Sequence, residues 1–174
     1  MSSYLTTIIN NEEQRERLIS KLREALAGDY EENTHVRNTA FCLVGEGGTG
    51  KTAFLNVVAS VFAEKGKAVS RLDGKPVRQI QSHNTDGSYK FAADLHTCDE
   101  MTMPSSLIKE VVGDMGGCLL MTATKRPEMD PLDHGLRWRV TFIDFENRFV
   151  RGARPDSTYD KEEACRSLLA DLTN

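Results

Sequence analysis

Eight consecutive residues, GEGGTGKT at positions 45–52, have the types and spacing that bind a polyphosphate. They fit the pattern G-x-x-x-x-G-K-[ST] at each fixed position. Backbone N–H groups of such a loop surround phosphate oxygens, the lysine reaches the terminal phosphates, and the last hydroxyl is a ligand for Mg²⁺. We therefore predict an ATP site, against the alternative of a chance glycine-rich turn. The predicted binding residues are Gly45, Glu46, Gly47, Gly48, Thr49, Gly50, Lys51 and Thr52.

Two adjacent carboxylates, Asp99 and Glu100, end a later strand-like segment. Hydrolysis of a bound nucleotide needs an acidic group for Mg²⁺ and a second group that orients the attacking water. We assign the metal role to Asp99, together with Thr52, and the water role to Glu100. The alternative is that the pair only favours the N-terminus of a helix that begins near Pro104.

The segments that must position these residues alternate between strand-like and helix-like patterns. Apolar or alternating runs predict strands at 40–44, 67–72, 91–100, 118–123 and 138–145, and a polar loop follows the second of them. Helical patterns cover 10–28, 51–64, 104–113 and 157–172. Asn10 or Asn11 suits the N-cap of the first helix, and Gly28 suits its end. This alternation predicts a three-layer α/β fold with a five-stranded, mainly parallel sheet.

The same patterns divide the chain into three parts. We expect a helical N-terminal segment at 1–36, the nucleotide-binding core at 37–146 and a helical C-terminal tail at 147–174. The Met1 start and the capped first helix weakly favour a complete chain over a fragment of a larger protein.

Composition excludes several other classes of protein. A net charge of −4 argues against a surface that is basic throughout, although a local basic groove is compatible with it. The four cysteines are scattered and form no CxxC pair, which favours buried thiols over a zinc site. No signal peptide and no membrane-spanning run is visible, so we expect a cytoplasmic protein with no membrane partner.

Two later motifs complete a pattern. The apolar strand CLLMTA leads into Thr124, Lys125, Arg126 and Pro127, and DHGLRWRVTFIDF places Arg137 and Arg139 just before the last strand. Read from the residues alone, these two arginines also fit surface charges on an edge strand.

In the order and spacing of its four motifs, the chain resembles the AAA+ ATPases of helicase superfamily 3, in their poxvirus and phage primase-helicase branch. GEGGTGKT matches the phosphate loop of that branch, and Asp99-Glu100 match its acidic motif. Ala123-Thr124-Lys125-Arg126-Pro127 align with its T-N-x-x-P motif, and Trp138-Arg139 with the paired arginines before its last strand, which Phe145 closes. The resemblance covers roughly residues 38–146.

That resemblance carries implications for activity and partners. It implies ATP hydrolysis with Mg²⁺, a homo-oligomeric ring (most simply a hexamer), single-stranded DNA as substrate, and contact with other replication proteins of a virus, phage or plasmid. It makes Thr124 the sensor residue. It also makes Arg139 an arginine finger that reaches the γ-phosphate of a neighbouring subunit, with Arg137 as the substitute candidate.

The chain departs from the family pattern in two places. Thr124 stands where the family has a sensor asparagine, and a hydroxyl has a shorter reach and fewer donors than an amide. Lys125 is a substitute sensor in that case. The family's basic pore hairpin is also missing, because only a short segment separates Val112 from Cys118.

Other features bear on nucleic acid without deciding it. A basic surface formed by Lys65, Lys67, Arg71, Lys75 and Arg78 suits nucleic acid and a solvated helix end equally well. Packing explains Tyr89 and Phe91 better than base stacking does.

Three functions follow from these observations. The first is a ring-forming, helicase-like motor that acts on single-stranded nucleic acid. The second is a helicase-derived module that uses ATP-dependent oligomerisation to organise a protein partner, which the acidic balance and the missing hairpin favour. The third, a small P-loop kinase, is disfavoured because such kinases need no Asp-Glu strand end and usually carry an arginine-rich lid.

Overall fold

A computed structural model describes residues 4–27, 40–72, 82–83, 89–90, 93–100, 118–128, 139–147 and 161–173. Its helices are α1 (Tyr4–Ile8), α2 (Glu12–Ala27), α3 (Lys51–Glu64) and α4 (Lys161–Thr173). Its strands are β1 (Ala40–Val44), β2 (Val69–Arg71), β3 (Ser82–His83), β4 (Tyr89–Lys90), β5 (Leu95–Cys98), β6 (Cys118–Ala123) and β7 (Val140–Asp144).

Five strands form one sheet in the order β2-β5-β6-β1-β7, and each neighbouring pair is parallel. The predicted α/β fold with a five-stranded parallel sheet is therefore confirmed. β6 lies between β1 and β5, with Val44 level with Ala123 and Cys98 level with Met121. The carboxyl ends of these three strands meet at one edge of the sheet, so residues far apart in the chain become neighbours there.

One face of the sheet carries the core that the described helices share. Alternate strand residues point to this face, among them Leu43, Leu120 and Ile143, and they join one buried cluster with side chains of α1, α2, α3 and α4. Phe54 of α3 is fully buried in this cluster, and its ring centroid lies 6.3 Å from that of Tyr4 and 5.8 Å from that of Phe145. The cluster fixes α3, and with it the glycine loop, against the sheet.

The opposite face of the sheet is buried as well. Ala40, Cys42, Leu119 and Met121 have no exposed surface. A parallel sheet buried on both faces needs continuously apolar strands, which explains why AFCLV and CLLMTA show little alternation.

The elements differ from the sequence predictions in several details. β2, β5 and β7 are shorter than the predicted 67–72, 91–100 and 138–145. Asp94 directly precedes β5, and its carboxylate accepts a hydrogen bond from the backbone N–H of Ala68 at 2.9 Å. The short strands β3 and β4 form an antiparallel pair inside the segment predicted as a polar loop.

The N-terminal region holds a short helix that the sequence did not predict. α1 buries Tyr4, Leu5 and Ile8, and the backbone N–H of Tyr4 donates to the Ser167 hydroxyl at 3.0 Å. Of the two candidate caps for α2, Asn11 is the residue that accepts the N–H of Gln14, at 3.0 Å.

Some predicted features lie outside the described residues. They are the helix at 104–113, the helix end at Gly28 and the pore-hairpin gap after Val112. Within the described ranges, no helix is both long enough and apolar enough to cross a membrane.

Candidate functional site

The glycine loop joins β1 to α3 at the carboxyl edge of the sheet. Gly45 donates its N–H to the carbonyl of Ala123 at 3.1 Å, so the loop begins pinned to the end of β6. A Cβ atom on Gly45 would lie 2.4 Å from the carbonyl oxygen of Phe145. Close packing between two strand ends therefore requires glycine at this position.

Two other glycines supply the turn itself. Gly48 and Gly50 have φ angles of 82° and 84°, a region that residues with a side chain rarely adopt. The buried Thr49 hydroxyl donates to the Glu46 carbonyl at 2.9 Å and closes the loop. Gly50 precedes α3 and no side chain caps the helix, so its first N–H groups face the loop. Such a helix start attracts phosphate.

Lys51 folds back over this loop. Its ammonium donates to the carbonyl oxygens of Gly45 and Glu46 and to the hydroxyl of Thr49. Burial lowers the pKa of Lys51, and the nearby carboxylates of Asp99 and Glu100 oppose that shift. The ammonium thus lies between the loop and the acidic pair, where terminal phosphates of a nucleotide would bind.

The second part of the site is a hydrogen-bonded cluster around Asp99. Oδ1 of Asp99 accepts hydrogen bonds from the Thr52 hydroxyl at 3.1 Å and from the Thr122 hydroxyl at 2.7 Å. The described residues contain no group of three or more acidic, histidine or cysteine side chains that could hold a metal alone. Mg²⁺ does not need one, because it is usually held by one or two carboxylates, waters and substrate phosphates. Thr52 and Asp99 fit that requirement.

Glu100 adopts an unusual backbone conformation. Its φ angle of 51° is the one positive value among the described non-glycine residues. Its backbone N–H donates to the Thr122 hydroxyl at 2.8 Å, and its side chain is exposed toward the cavity. A strained backbone of this kind is found at sites where the orientation of one side chain matters.

A cavity of about 350 Å³ connects these parts. Residues 47–53, 99–100 and 122–124 line it. Its volume lies in the range of small-molecule sites, about 300–1,000 Å³. The structure thus brings together six of the eight predicted loop residues, the acidic pair and Thr124, while Gly45 and Glu46 hold the Lys51 ammonium with their carbonyl groups.

The residues after Thr124 form a separate contact. The Arg126 guanidinium donates to both carboxylate oxygens of Asp144, at 2.9 and 2.7 Å, and lies 5.4 Å from the ring centroid of Phe142. Gln14 of α2 completes this contact by donating to the Asp144 carboxylate at 2.9 Å and accepting the Asp144 N–H at 2.8 Å. Arg126 is therefore held near the site without lining the cavity, and its neighbour Lys125 is exposed and does not line the cavity either.

Arg139 lies at the other edge of the sheet. It immediately precedes Val140, which is level with Ala40 at the amino end of β1, and its side chain is exposed. The five residues of β7 extend about 16 Å at about 3.3 Å each, so Arg139 lies far from the cavity of its own chain. Arg137 falls outside the described residues.

The remaining sequence features are only partly described. Lys65 and Arg71 are exposed, and Arg71 donates to the Asn56 side chain at 3.1 Å. Lys75, Arg78 and Phe91, and the side chain of Tyr89, lie outside the description. None of the four cysteines forms a disulfide, and burial raises the pKa of Cys42 and Cys118 to about 12, so these two thiols are unreactive.

Sequence reasoning missed two residues that organise the site. Thr122 was noted only as part of the end of β6, yet it contacts both members of the acidic pair. Asp144 was read only as part of the last strand. A hydroxyl inside the otherwise apolar CLLMTA was the available signal for Thr122. Nothing in the local sequence indicates the partners of Asp144.

The parallel sheet and the glycine loop between β1 and α3 together define an α/β fold of the P-loop NTPase type. Neither the family models nor the curated proteins contain a match to this chain.

Solved structures do match. Two apo structures of the C-terminal region of NrS-1 align with 93% of the chain at 13% identity, with TM-scores of 0.59 and 0.58. The structure of C. elegans PCH-2 aligns with 82% of the chain and 44% of its own length, at 16% identity and a TM-score of 0.47. The chain spans 40% of the length of the NrS-1 structures. At this identity, the likeness to NrS-1 shows the fold alone.

Proposed function

We propose that this chain is an ATP-hydrolysing, AAA+-type motor that forms a ring and acts on single-stranded nucleic acid during viral, phage or plasmid replication. The observation that carries the proposal is the cluster of Thr52, Asp99, Thr122 and Glu100 beside the glycine loop. A loop that only bound nucleotide would not need a strained glutamate held at its edge.

The side chains support hydrolysis by a division of roles. N–H groups of the loop and the Lys51 ammonium bind the phosphates and offset their charge. Thr52 and Asp99 would hold Mg²⁺, which neutralises charge that develops on the phosphate oxygens. Glu100 orients the attacking water through its carboxylate, and the Thr124 hydroxyl at the end of β6 contacts the γ-phosphate or that water.

The position of Arg139 supports a site completed by a second copy of the chain. Because Arg139 lies at the amino edge of the sheet, it serves a nucleotide bound by the next subunit and not its own. Such head-to-tail contacts close into rings when the rotation between subunits permits, and a hexamer is the proposed ring.

The first test is nucleotide turnover. Lys51→Ala should abolish nucleotide binding and hydrolysis, while Glu100→Gln should retain binding and lose hydrolysis, by a factor on the order of 100 or more for loss of the group that orients the water. Hydrolysis that survives Glu100→Gln would show that another group orients the water.

The second test separates action in trans from action in cis. Arg139→Ala and Glu100→Gln subunits should each be inactive alone. Their equal mixture should recover about a quarter of the parent turnover, because that fraction of random head-to-tail interfaces pairs an intact site with an intact arginine. A mixture with no recovery would contradict the proposed role of Arg139.

The third test concerns the substrate. We expect ATP to strengthen binding to single-stranded DNA, with affinity that falls as salt rises. If the protein hydrolyses ATP and oligomerises but does not bind DNA even at about 50 mM salt, where phosphate contacts are strong, it is the protein-organising module and not a motor. Transfer of the phosphate to a small acceptor would instead identify a kinase.

A further inference from the structure

We propose that Thr122 is a positioning residue of this site, whose single buried hydroxyl orients the Asp99 carboxylate and the Glu100 backbone together. The proposal rests on the proposed nucleotide site and assigns a function to a residue that none of the sequence motifs includes.

The location of Thr122 indicates a specific role for its hydroxyl. It is the fifth residue of the strand CLLMTA, whose other members are apolar, and 1% of its surface is exposed. It is level with Leu43, so its side chain points to the face against which α3 packs. A buried hydroxyl in an apolar strand is costly unless it is hydrogen-bonded, and here it has two partners.

The two hydrogen bonds use the hydroxyl in both directions. The N–H of Glu100 can only donate, so the Thr122 oxygen must accept that bond at 2.8 Å. The hydroxyl proton is then available to Asp99, whose Oδ1 lies 2.7 Å away. One oxygen atom thereby fixes the carboxylate proposed for the metal and the backbone that carries the carboxylate proposed for the water.

The backbone conformation of Glu100 shows what the hydrogen bond to Thr122 stabilises. Its φ angle of 51° is disfavoured for a residue with a side chain, and the bond from its N–H to Thr122 opposes relaxation to an ordinary conformation. Without the hydroxyl, Asp99 loses the hydrogen bond that Thr122 donates to Oδ1, and Glu100 loses the contact that holds it toward the cavity. Metal binding and water orientation should therefore weaken together.

The experiment compares Thr122→Val, which keeps the shape and removes the hydroxyl, with Thr122→Ser, which keeps the hydroxyl. Affinity for ADP and for a non-hydrolysable ATP analogue is measured by calorimetry with and without Mg²⁺, together with turnover. We expect the affinity of Thr122→Val for metal-free nucleotide to lie within about threefold of the parent value. The increase in affinity caused by Mg²⁺ should be about tenfold smaller than in the parent, as is typical when a metal ligand loses a hydrogen-bond partner. Its kcat should fall more than its KM changes, and Thr122→Ser should stay within about threefold of the parent in both readouts.

Each other outcome is decisive. The proposal fails if Mg²⁺ increases the nucleotide affinity of Thr122→Val as much as that of the parent. It also fails if this increase is reduced equally in Thr122→Ser and Thr122→Val, because the residue would then act by packing. If Thr122→Val does not fold, Thr122→Ala is compared with Thr122→Ser by the same measurement, the increase in nucleotide affinity caused by Mg²⁺. If the parent binds nucleotide but hydrolyses none, the ATPase proposal fails, while the calorimetric comparison still decides the role of Thr122.

Discussion

The hydroxyl of Thr52 donates to Oδ1 of Asp99 across 3.1 Å, although 47 positions separate the two residues in the chain. The contact follows from strand order. Thr52 lies in the first turn of α3, the helix after β1, and Asp99 directly follows β5, with one strand, β6, between β1 and β5. That intervening strand supplies Thr122, so Oδ1 of Asp99 accepts hydrogen bonds from hydroxyls of two other elements, α3 and β6.

Replacement of Asp99 by asparagine should weaken the proposed metal site without unfolding the protein. The amide keeps the size of the side chain but loses its negative charge, so the Mg²⁺ concentration needed for half-maximal nucleotide binding should rise by about tenfold or more. A Mg²⁺ titration of nucleotide binding measures this. Asp94→Asn is the matched control, because Asp94 bonds to the Ala68 backbone and does not line the described cavity. Equal Mg²⁺ responses in the two variants would contradict the assignment.

Gly45 should tolerate no side chain. Gly45→Ala would place a methyl group 2.4 Å from the Phe145 carbonyl, and the strand ends must separate to admit it. We expect a loss of about 2 kcal/mol in the free energy of unfolding, as overpacked sites typically show. Urea denaturation measures it. In the same loop, Gly47→Ala is the control because nothing lies within 4 Å of its added carbon. Equal stability losses would show that the contact with Phe145 relaxes freely.

Asp144 should contribute to stability in acid. The hydrogen bond from Arg126 is the main cause that lowers the pKa of Asp144, with a further contribution from Gln14, while burial opposes them. A lowered carboxyl pKa stabilises the fold above the ordinary value of 3.8, and this contribution is lost as the pH falls through the folded-state pKa.

Asp144→Asn should therefore reduce the free energy of unfolding at neutral pH by about 1 kcal/mol. In this variant, that free energy should also fall less steeply below pH 4 than in the parent. Unfolding in urea across that pH range measures it. Glu128→Gln, which removes an exposed carboxylate two residues after Arg126, should change neither. If the free energy of unfolding of Asp144→Asn falls below pH 4 as steeply as that of the parent, the contact with Arg126 contributes nothing in solution.

His96 should make the protein less stable at mildly acidic pH. Burial lowers the pKa of His96 from 6.5 to about 4, and Asp94 opposes the shift. The unfolded chain therefore binds a proton that the folded chain excludes, so stability is complete above pH 6.5 and declines as the pH falls toward 4.

The difference between the two pKa values corresponds to about 3 kcal/mol. His96→Gln should remove this slope when unfolding is measured from pH 7 to pH 4. Asp144→Asn should retain it, since Asp144 acts only in stronger acid. A parent protein whose stability is flat over this range would contradict the buried neutral imidazole.

The extent to which sequence predicted the site depends on whether its parts are contiguous. The residues from Gly45 to Thr52 form one uninterrupted motif, so spacing alone located the loop. The chemistry of Asp99 and Glu100 was predicted from their place at a strand end. Their contact with Thr122 could not be, because it requires β6 and β5 to be neighbours in a known register.

Long-range contacts between side chains were the least predictable. Gln14 lies in α2, Asp144 ends β7 and Arg126 lies in the segment after β6, and sequence pattern does not indicate which polar residues meet between such segments. The five-residue helix α1 was missed because it is too short to show a period. The helix is stabilised by burial of its side chains in the shared core and not by the helix propensity of its residues.

The level pairing of Leu43 with Thr122 has a consequence for how the protein folds. A slip of β6 by one residue would turn Thr122 to the other face of the sheet and put Ala123 in its place. The misfolded molecule would keep much of its apolar burial, but Gly45 would lose its hydrogen bond to Ala123 and the acidic pair would lose its contacts with the Thr122 hydroxyl. If the proposed site binds nucleotide with Mg²⁺, that binding would stabilise molecules with the correct strand alignment over those with the slipped strand.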